Sequence, residues 1–225
     1  MTYSDIRRLA RENLAGNWKK SIGIGFMAAL LGAAVAGSRI GGTIELDPEI
    51  MEMLPGFVLA FLSAWASIAG VISLAQFVIG GTVQLGYTDI LLKQYDRKDF
   101  QFEDLFSQFH RFKQGFLQGF LRGLYVFLWS LLLVIPGIVK TYSYAMTPFI
   151  MADHPEMTAK EAIHASRKMM DGYKGHLFML DLSFFGWSIL AILSLGVGFL
   201  WLNPYQNAAH AAFYRELCET PRIEE

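Results

Sequence analysis

Hydrophobic residues along this chain fall into a few long blocks separated by short polar segments. Ser21–Ser38, Met53–Thr88, Gly123–Val139 and Leu182–Tyr214 contain no Lys, Arg, Asp or Glu, and Thr141–Ala152 is equally uncharged after the lone Lys140. A helix needs about 20 apolar residues to cross a roughly 30 Å hydrocarbon core, and lipid admits only helices and closed barrels. The blocks are too long, and too rich in Leu, Ala, Gly and Phe, for the roughly ten-residue alternating strands of a barrel. The pattern predicts an all-α, polytopic helical membrane protein. Four spans stand out, at about 20–38, 57–80, 115–135 and 177–197. Two shorter ones, 138–152 and 199–217, follow if Pro136-Gly137, and Pro204 after Gly196 and Gly198, act as helix breaks.

The polar segments are patterned too. Apolar residues at helical spacing predict amphipathic helices over about 4–16 (Ile6, Leu9, Ala10, Leu14), 100–113 (Phe102, Leu105, Phe106, Phe109, Phe112) and 158–171 (Ala162, Ile163, Met169, Met170). Thr158-x-x-Glu161 is a capping box opening the third. Aromatic–Lys pairs lead from these segments into a span: Trp18-Lys19, Phe112-Lys113 and Tyr173-Lys174. Rings that anchor and lysines that snorkel make these interface anchors, and helices of this kind are expected to lie in the headgroup region. The recurrence reads as a weak threefold repeat.

Composition agrees. Of 225 residues 53% are hydrophobic and 17% charged, and the mean hydropathy is +0.34. A net charge of −1 with no strongly basic segment argues against nucleic acid as a partner, and a single Cys argues against a disulfide scaffold or a Cys-based zinc site. Lys19-Lys20, an apolar run and Ala34-Val35-Ala36 imitate a signal peptide, but the patterned helix ahead of Lys19 favours a retained span. Cytoplasmic loops collect Lys and Arg. Residues 1–20, 89–114 and 153–176 are rich in both, whereas loop 39–56 carries Arg39 alone and the Pro136 turn only Lys140. Six spans, grouped as three hairpins, put every basic segment and both termini inside; four would strand one outside. On that reading 16 of the 19 Lys and Arg residues are cytoplasmic, all but Arg39, Lys140 and Arg122.

Several stretches resemble a bacterial integral-membrane family of unknown function, the domain of unknown function 975. They are Ile6-Arg7-Arg8-Leu9-Ala10 with Leu14-x-Gly16-Asn17-Trp18, Leu105-Phe106-x-x-Phe109, and Trp129-Ser130-Leu131-Leu132-Leu133-Val134-Ile135-Pro136-Gly137-Ile138. Tyr142-Ser143-Tyr144-Ala145-Met146, Ala162-Ile163-x-x-Ser166-Arg167-x-Met169, Gly186-Trp187 and Pro204-Tyr205…Phe213-Tyr214 continue it. The resemblance implies a multi-helix protein of the bacterial inner membrane and brings no catalytic residues.

Ionisable residues inside a span are functional candidates by default. Arg122, Asp89, Asp181 and His210 are the intramembrane polar candidates. An Arg–Asp cluster lining a polar path competes with structural pairing near the cytoplasmic interface, and structural pairing is favoured. Gly115, Gly119 and Gly123, four residues apart, offer a groove for close helix packing. Glu161-x-x-His164 has the spacing of a carboxylate–His ligand pair, but di-metal bundles need two such motifs, so no metal is expected. No HExxH, G-x-S-x-G or Walker signature is present. The expectation is a non-enzymatic membrane module with no cofactor. It would bind anionic lipid head groups at the cytoplasmic face, and a protein partner or second copy. A small permease or lipid transporter using Arg122 and the broken helices is the alternative.

Overall fold

A computed structural model describes residues 3–33, 55–132 and 134–219. Loop 39–56, with Arg39, and the Ala34-Val35-Ala36 segment lie outside the described residues apart from Pro55 and Gly56. The described chain is all-helical. The elements are α1 (Tyr3–Leu14), α2 (Trp18–Leu30), α3 (Gly56–Tyr95), a 3₁₀ helix (Phe102–Arg111), α4 (Phe112–Leu132), α5 (Val134–Ser143), α6 (Thr147–Asp153), α7 (Ala159–Met169), α8 (Lys174–Leu182), α9 (Phe185–Leu193) and α10 (Phe199–Glu219). Among the described residues two stretches, Gly70–Tyr95 and Lys174–Leu193, are long and apolar enough to cross a membrane.

The second expected span, 57–80, is the first half of a helix of 40 residues, about 60 Å at 1.5 Å per residue. Its burial changes abruptly along its length. Val71, Ile72, Leu74 and Phe77 are exposed, whereas Val83, Leu85, Tyr87, Ile90, Leu91 and Leu92 are buried. The same division runs through the molecule. A packed base gathers α1, the second half of α3, the 3₁₀ helix, α6, α7 and most of α10 around Leu14, Met146, Met151, Phe149 and Tyr214. From it project apolar helices whose side chains stay uncovered: Phe127 and Leu131 of α4, Ile135 of α5, Trp187 and Leu193 of α9.

Glycines make the α3–α4 crossing possible. A Cβ on Gly115 would stand 2.6 Å from Thr82 Oγ1 and 2.8 Å from its Cα, and one on Gly119 would stand 3.2 Å from Gly81 Cα. A Cβ on Gly123 would meet nothing within 4 Å.

Two tight reversals connect the projecting helices. A Cβ on Gly137 would lie 2.9 Å from Ser130 Cα, and one on Gly198 would lie 2.7 Å from Ala191 Cα. Residues seven apart in one straight helix are separated by about 10 Å, so the chain doubles back between each pair. The first reversal comes earlier than the break expected at Pro136-Gly137. Pro136 sits in the first turn of α5, where a missing N–H costs nothing. Of the last expected breaks, the one at Gly196 and Gly198 is present, at Ser194–Gly198 with Leu195 and Gly196 both at positive φ, whereas Pro204 breaks nothing and lies buried inside α10.

The expected span 138–152 is not one helix. It divides into α5 and α6, with turn residues Tyr144–Met146 between them, and Thr147–Ala152 of α6 are all buried in protein. The expected span 177–197 likewise divides into α8 and α9 and ends at Leu193.

The amphipathic segments fold as helices, but two of them spend their apolar faces inside the protein. Ile6, Ala10 and Leu14 of α1 are buried against α10, and Ala162, Ile163 and Ser166 of α7 are buried against α6 and α4. Each large apolar side chain so buried contributes about 1.5–3 kcal/mol. The capping box forms: Thr158 N donates to Glu161 Oε2 at 2.7 Å, and Glu161 N donates to Thr158 Oγ1 at 3.4 Å. The middle segment is 3₁₀ rather than α, and only Leu105 is buried while Phe102, Phe106 and Phe109 face outward.

Candidate functional site

The four intramembrane polar candidates do not meet in one cluster. Each finds its own partner, and two find each other. Asp181 near the end of α8 and His210 in the middle of α10 are joined by a 2.6 Å contact between Oδ1 and Nε2. His210 is almost fully buried, while Asp181 keeps about a third of its side chain exposed (6% and 31%). Tyr142 of α5 also hydrogen-bonds Asp181, so one carboxylate ties three helices together. A buried imidazole without such a partner would be costly, and this pairing is the local reason that His210 is tolerated in an alanine-rich helix.

Arg122 lies part-buried on α4, and its Nη2 donates to Gln84 Oε1 of α3 at 3.4 Å. Gln84 is itself buried in the second half of α3, as are Thr82 and Thr88. Asp89 is held by Lys93 one turn on (2.9 Å), and Lys93 reaches across to Asp104 of the 3₁₀ helix (3.2 Å). Asp104 Oδ2 accepts from Gln101 N at 2.9 Å. That backbone donor and the Lys93 ammonium hold the Asp104 carboxyl below its ordinary range.

A further ionic knot was not singled out in the sequence. Arg215 of α10 donates to Asp153 (2.9 Å) and to Asp96 (2.8 Å), and Tyr214 Oη donates to Asp153 at 3.2 Å. Tyr214 is buried and stacks on Phe149 at 5.5 Å. The ends of α3, α6 and α10 are thereby pinned together. The sequence signal was present: Asp153 closes one uncharged run, and Arg215 closes another. Their pairing across 62 positions was not legible.

The interface anchors separate. Trp18, Phe112, Tyr173 and Lys174 are half-buried, whereas Lys19 and Lys113 are exposed. The half-buried Lys174 reaches back to Asp171 at 3.2 Å. Phe112 belongs to a ladder of rings running Phe106–Phe109–Phe112–Phe116–Phe120, with successive centroids 5.6–6.5 Å apart and Phe77 of α3 edge-on to Phe116 and Phe120. Among the described residues no group of three or more His, Cys, Asp or Glu is placed to hold a metal ion. Glu161 is committed to its cap.

Chemically, these contacts are locks between helices. Each carboxylate faces a cation, an imidazole or backbone N–H groups. Ser183, the hydroxyl nearest Asp181 in sequence, donates to Leu180 O at 2.6 Å. No curated protein and no solved structure matches the chain. Residues 130–220, from the end of α4 through α10, match the family model described as Protein of unknown function (DUF975), which bears out the family resemblance over that part of the chain.

Proposed function

We propose that the chain is a multi-pass protein of the bacterial inner membrane that works as a non-enzymatic, lipid- or partner-binding module. The observation that carries this is the exposure of large apolar side chains along the projecting helices. Phe26 and Leu30 on α2, Val71 and Leu74 on α3, Leu131 and Ile135 at the first reversal, and Trp187, Leu193, Leu195 and Trp201 around the second are all uncovered. A soluble monomer rarely leaves a contiguous apolar patch beyond a few hundred Å², and a bilayer would cover these helices on every side.

On this reading six segments enter lipid as three hairpins: α2 with the first half of α3, α4 with α5, and α8–α9 with the first turns of α10, whose remainder belongs to the base. The packed base, with both termini, lies in the cytoplasm. Its apolar 3₁₀ face (Phe102, Phe106, Phe109) remains free to rest in the headgroup layer. A reporter fused after Glu225 tests the orientation. Cytoplasmic-type signal is expected, and periplasmic signal would overturn the six-segment arrangement.

A further inference from the structure

Lys140 of α5, Arg167 and Lys168 of α7, and Lys174 of α8 line one cleft of about 450 Å³, together with Ser143, His164 and Asp171. Four cations face one acid, and that acid, Asp171, is taken up by Lys174 at 3.2 Å. The cleft therefore carries a surplus of three positive charges. His164, Arg167 and Lys168 are exposed. Lys140 packs its ammonium over the Trp129 ring, 4.4 Å from the centroid. From sequence Lys140 belongs to an outer turn, away from the third basic segment. The early reversal of α5 and the docking of α7, where Ser166 Oγ donates to Ser143 O at 3.0 Å, bring it to that segment instead.

Two helices that line the cleft also carry exposed apolar side chains: Ile138 and Val139 just before Lys140 on α5, and Phe178, Met179 and Leu182 after Lys174 on α8. The two helices touch through Tyr142 and Phe178, ring centroids 5.8 Å apart. Clustered Lys and Arg match the oxygens of a phosphate, and an uncovered apolar edge beside them matches acyl chains.

We propose that this cleft binds the phosphate headgroup of an anionic phospholipid, with its acyl chains along the Val139–Phe178 edge. The proposal rests on the membrane reading above and names a lipid site within it.

The test uses the full chain reconstituted in phosphatidylcholine vesicles with increasing phosphatidylglycerol, bound lipid being read from fluorescent phosphatidylglycerol. R167Q/K168Q, whose two side chains are exposed and outside the core, is expected to weaken binding about 30-fold, at about 1 kcal/mol per basic side chain. Lys140→Gln is expected to weaken it about 5-fold on the same footing. Arg8→Gln, an exposed residue ion-paired with Asp5 and Glu12 elsewhere on the base, is expected to leave it unchanged.

Equal binding by wild type and R167Q/K168Q would overturn the site. So would full displacement of the lipid by inorganic phosphate with no dependence on acyl chains, which would assign the cleft to a free anion. A chain that does not enter vesicles at all would overturn the membrane reading, and the site with it.

Discussion

Replacing Gly115 by Ala tests the packing of α3 on α4, and the outcome can be ranked in advance. The new methyl would stand 2.6 Å from Thr82 Oγ1 and 2.8 Å from Thr82 Cα. The hydroxyl can rotate, but the Cα cannot yield without moving α3. Overpacking of this kind costs about 1–3 kcal/mol, and the helix propensity gained by removing Gly returns up to about 1 kcal/mol. Contact with the Thr82 backbone puts the cost in the upper part of the overpacking range, about 2–3 kcal/mol, so a net loss of about 1–2 kcal/mol remains, which lowers the melting temperature of a chain of this size by about 2–8 °C. At Gly119 the approach to Gly81 Cα is 3.2 Å, and a few tenths of an ångström of adjustment suffices, so the loss is smaller. At Gly123 there is open space, only the propensity gain applies, and Ala should be neutral or stabilising. The assay is thermal unfolding of the three variants in one lipid–detergent mixture, followed by monodispersity on size exclusion. Gly123→Ala destabilising as strongly as Gly115→Ala would refute the reasoning, because it would mean that the glycines matter for something other than closeness to α3.

Three more outcomes follow from the polar contacts. His210→Ala removes a buried imidazole and leaves Asp181 facing protein without it; a loss of about 1–3 kcal/mol is expected, and a double-mutant cycle with Asp181→Asn should show that the two effects are not additive. Gln118 is fully buried with neither amide atom hydrogen-bonded, so Gln118→Met should stabilise the protein by about 1 kcal/mol or more; destabilisation would mean that the amide is engaged. The Asp104 carboxyl is held low in the folded state, so its contribution is present above the unfolded pKa of about 3.9 and is lost as pH falls through the folded value. Acidification below about pH 4 should therefore cost wild type more stability than Asp104→Asn, and equal pH profiles would contradict the assigned pairing with Gln101 N and Lys93.

The sequence carried the local rules well and the long-range ones poorly. Thr158 and Glu161 announced their cap because the box is four residues long and its partners are fixed by the helix itself. The amphipathic faces of α1 and α7 were legible as periodicity, but periodicity does not say what covers a face. Ile6 and Leu14 bury against α10, nearly the whole chain away, where lipid was expected.

The length of α3 was hidden because an uncharged run shows what lipid can hold and not where a helix ends: the span was expected to close at 80, and the helix continues to Tyr95. Gly80 and Gly81 lie within it as points of close approach, where a Cβ on Gly80 would meet the backbone of Gly32 and one on Gly81 that of Gly115. Pro204 misled for a similar reason: a proline early in a helix, packed near Gly25, is tolerated once neighbouring helices surround it. Asp181 and His210 were each visible as polar residues in apolar runs, and their union depends on α8 and α10 lying side by side. The surplus of cations shared by Lys140 and α7 has the same origin.

The central claim, that one half of the molecule is immersed in hydrocarbon, is tested most directly by tryptophan quenching. Trp187 and Trp201 are more than half exposed among the projecting helices, whereas Trp18 is half-buried beside the base. Single-tryptophan variants would be reconstituted in vesicles whose acyl chains carry bromine at mid-depth. The account predicts strong quenching of Trp187 and Trp201 and weak quenching of Trp18. Equal, weak quenching of all three, with emission shifted to the wavelength of tryptophan in water, would contradict it.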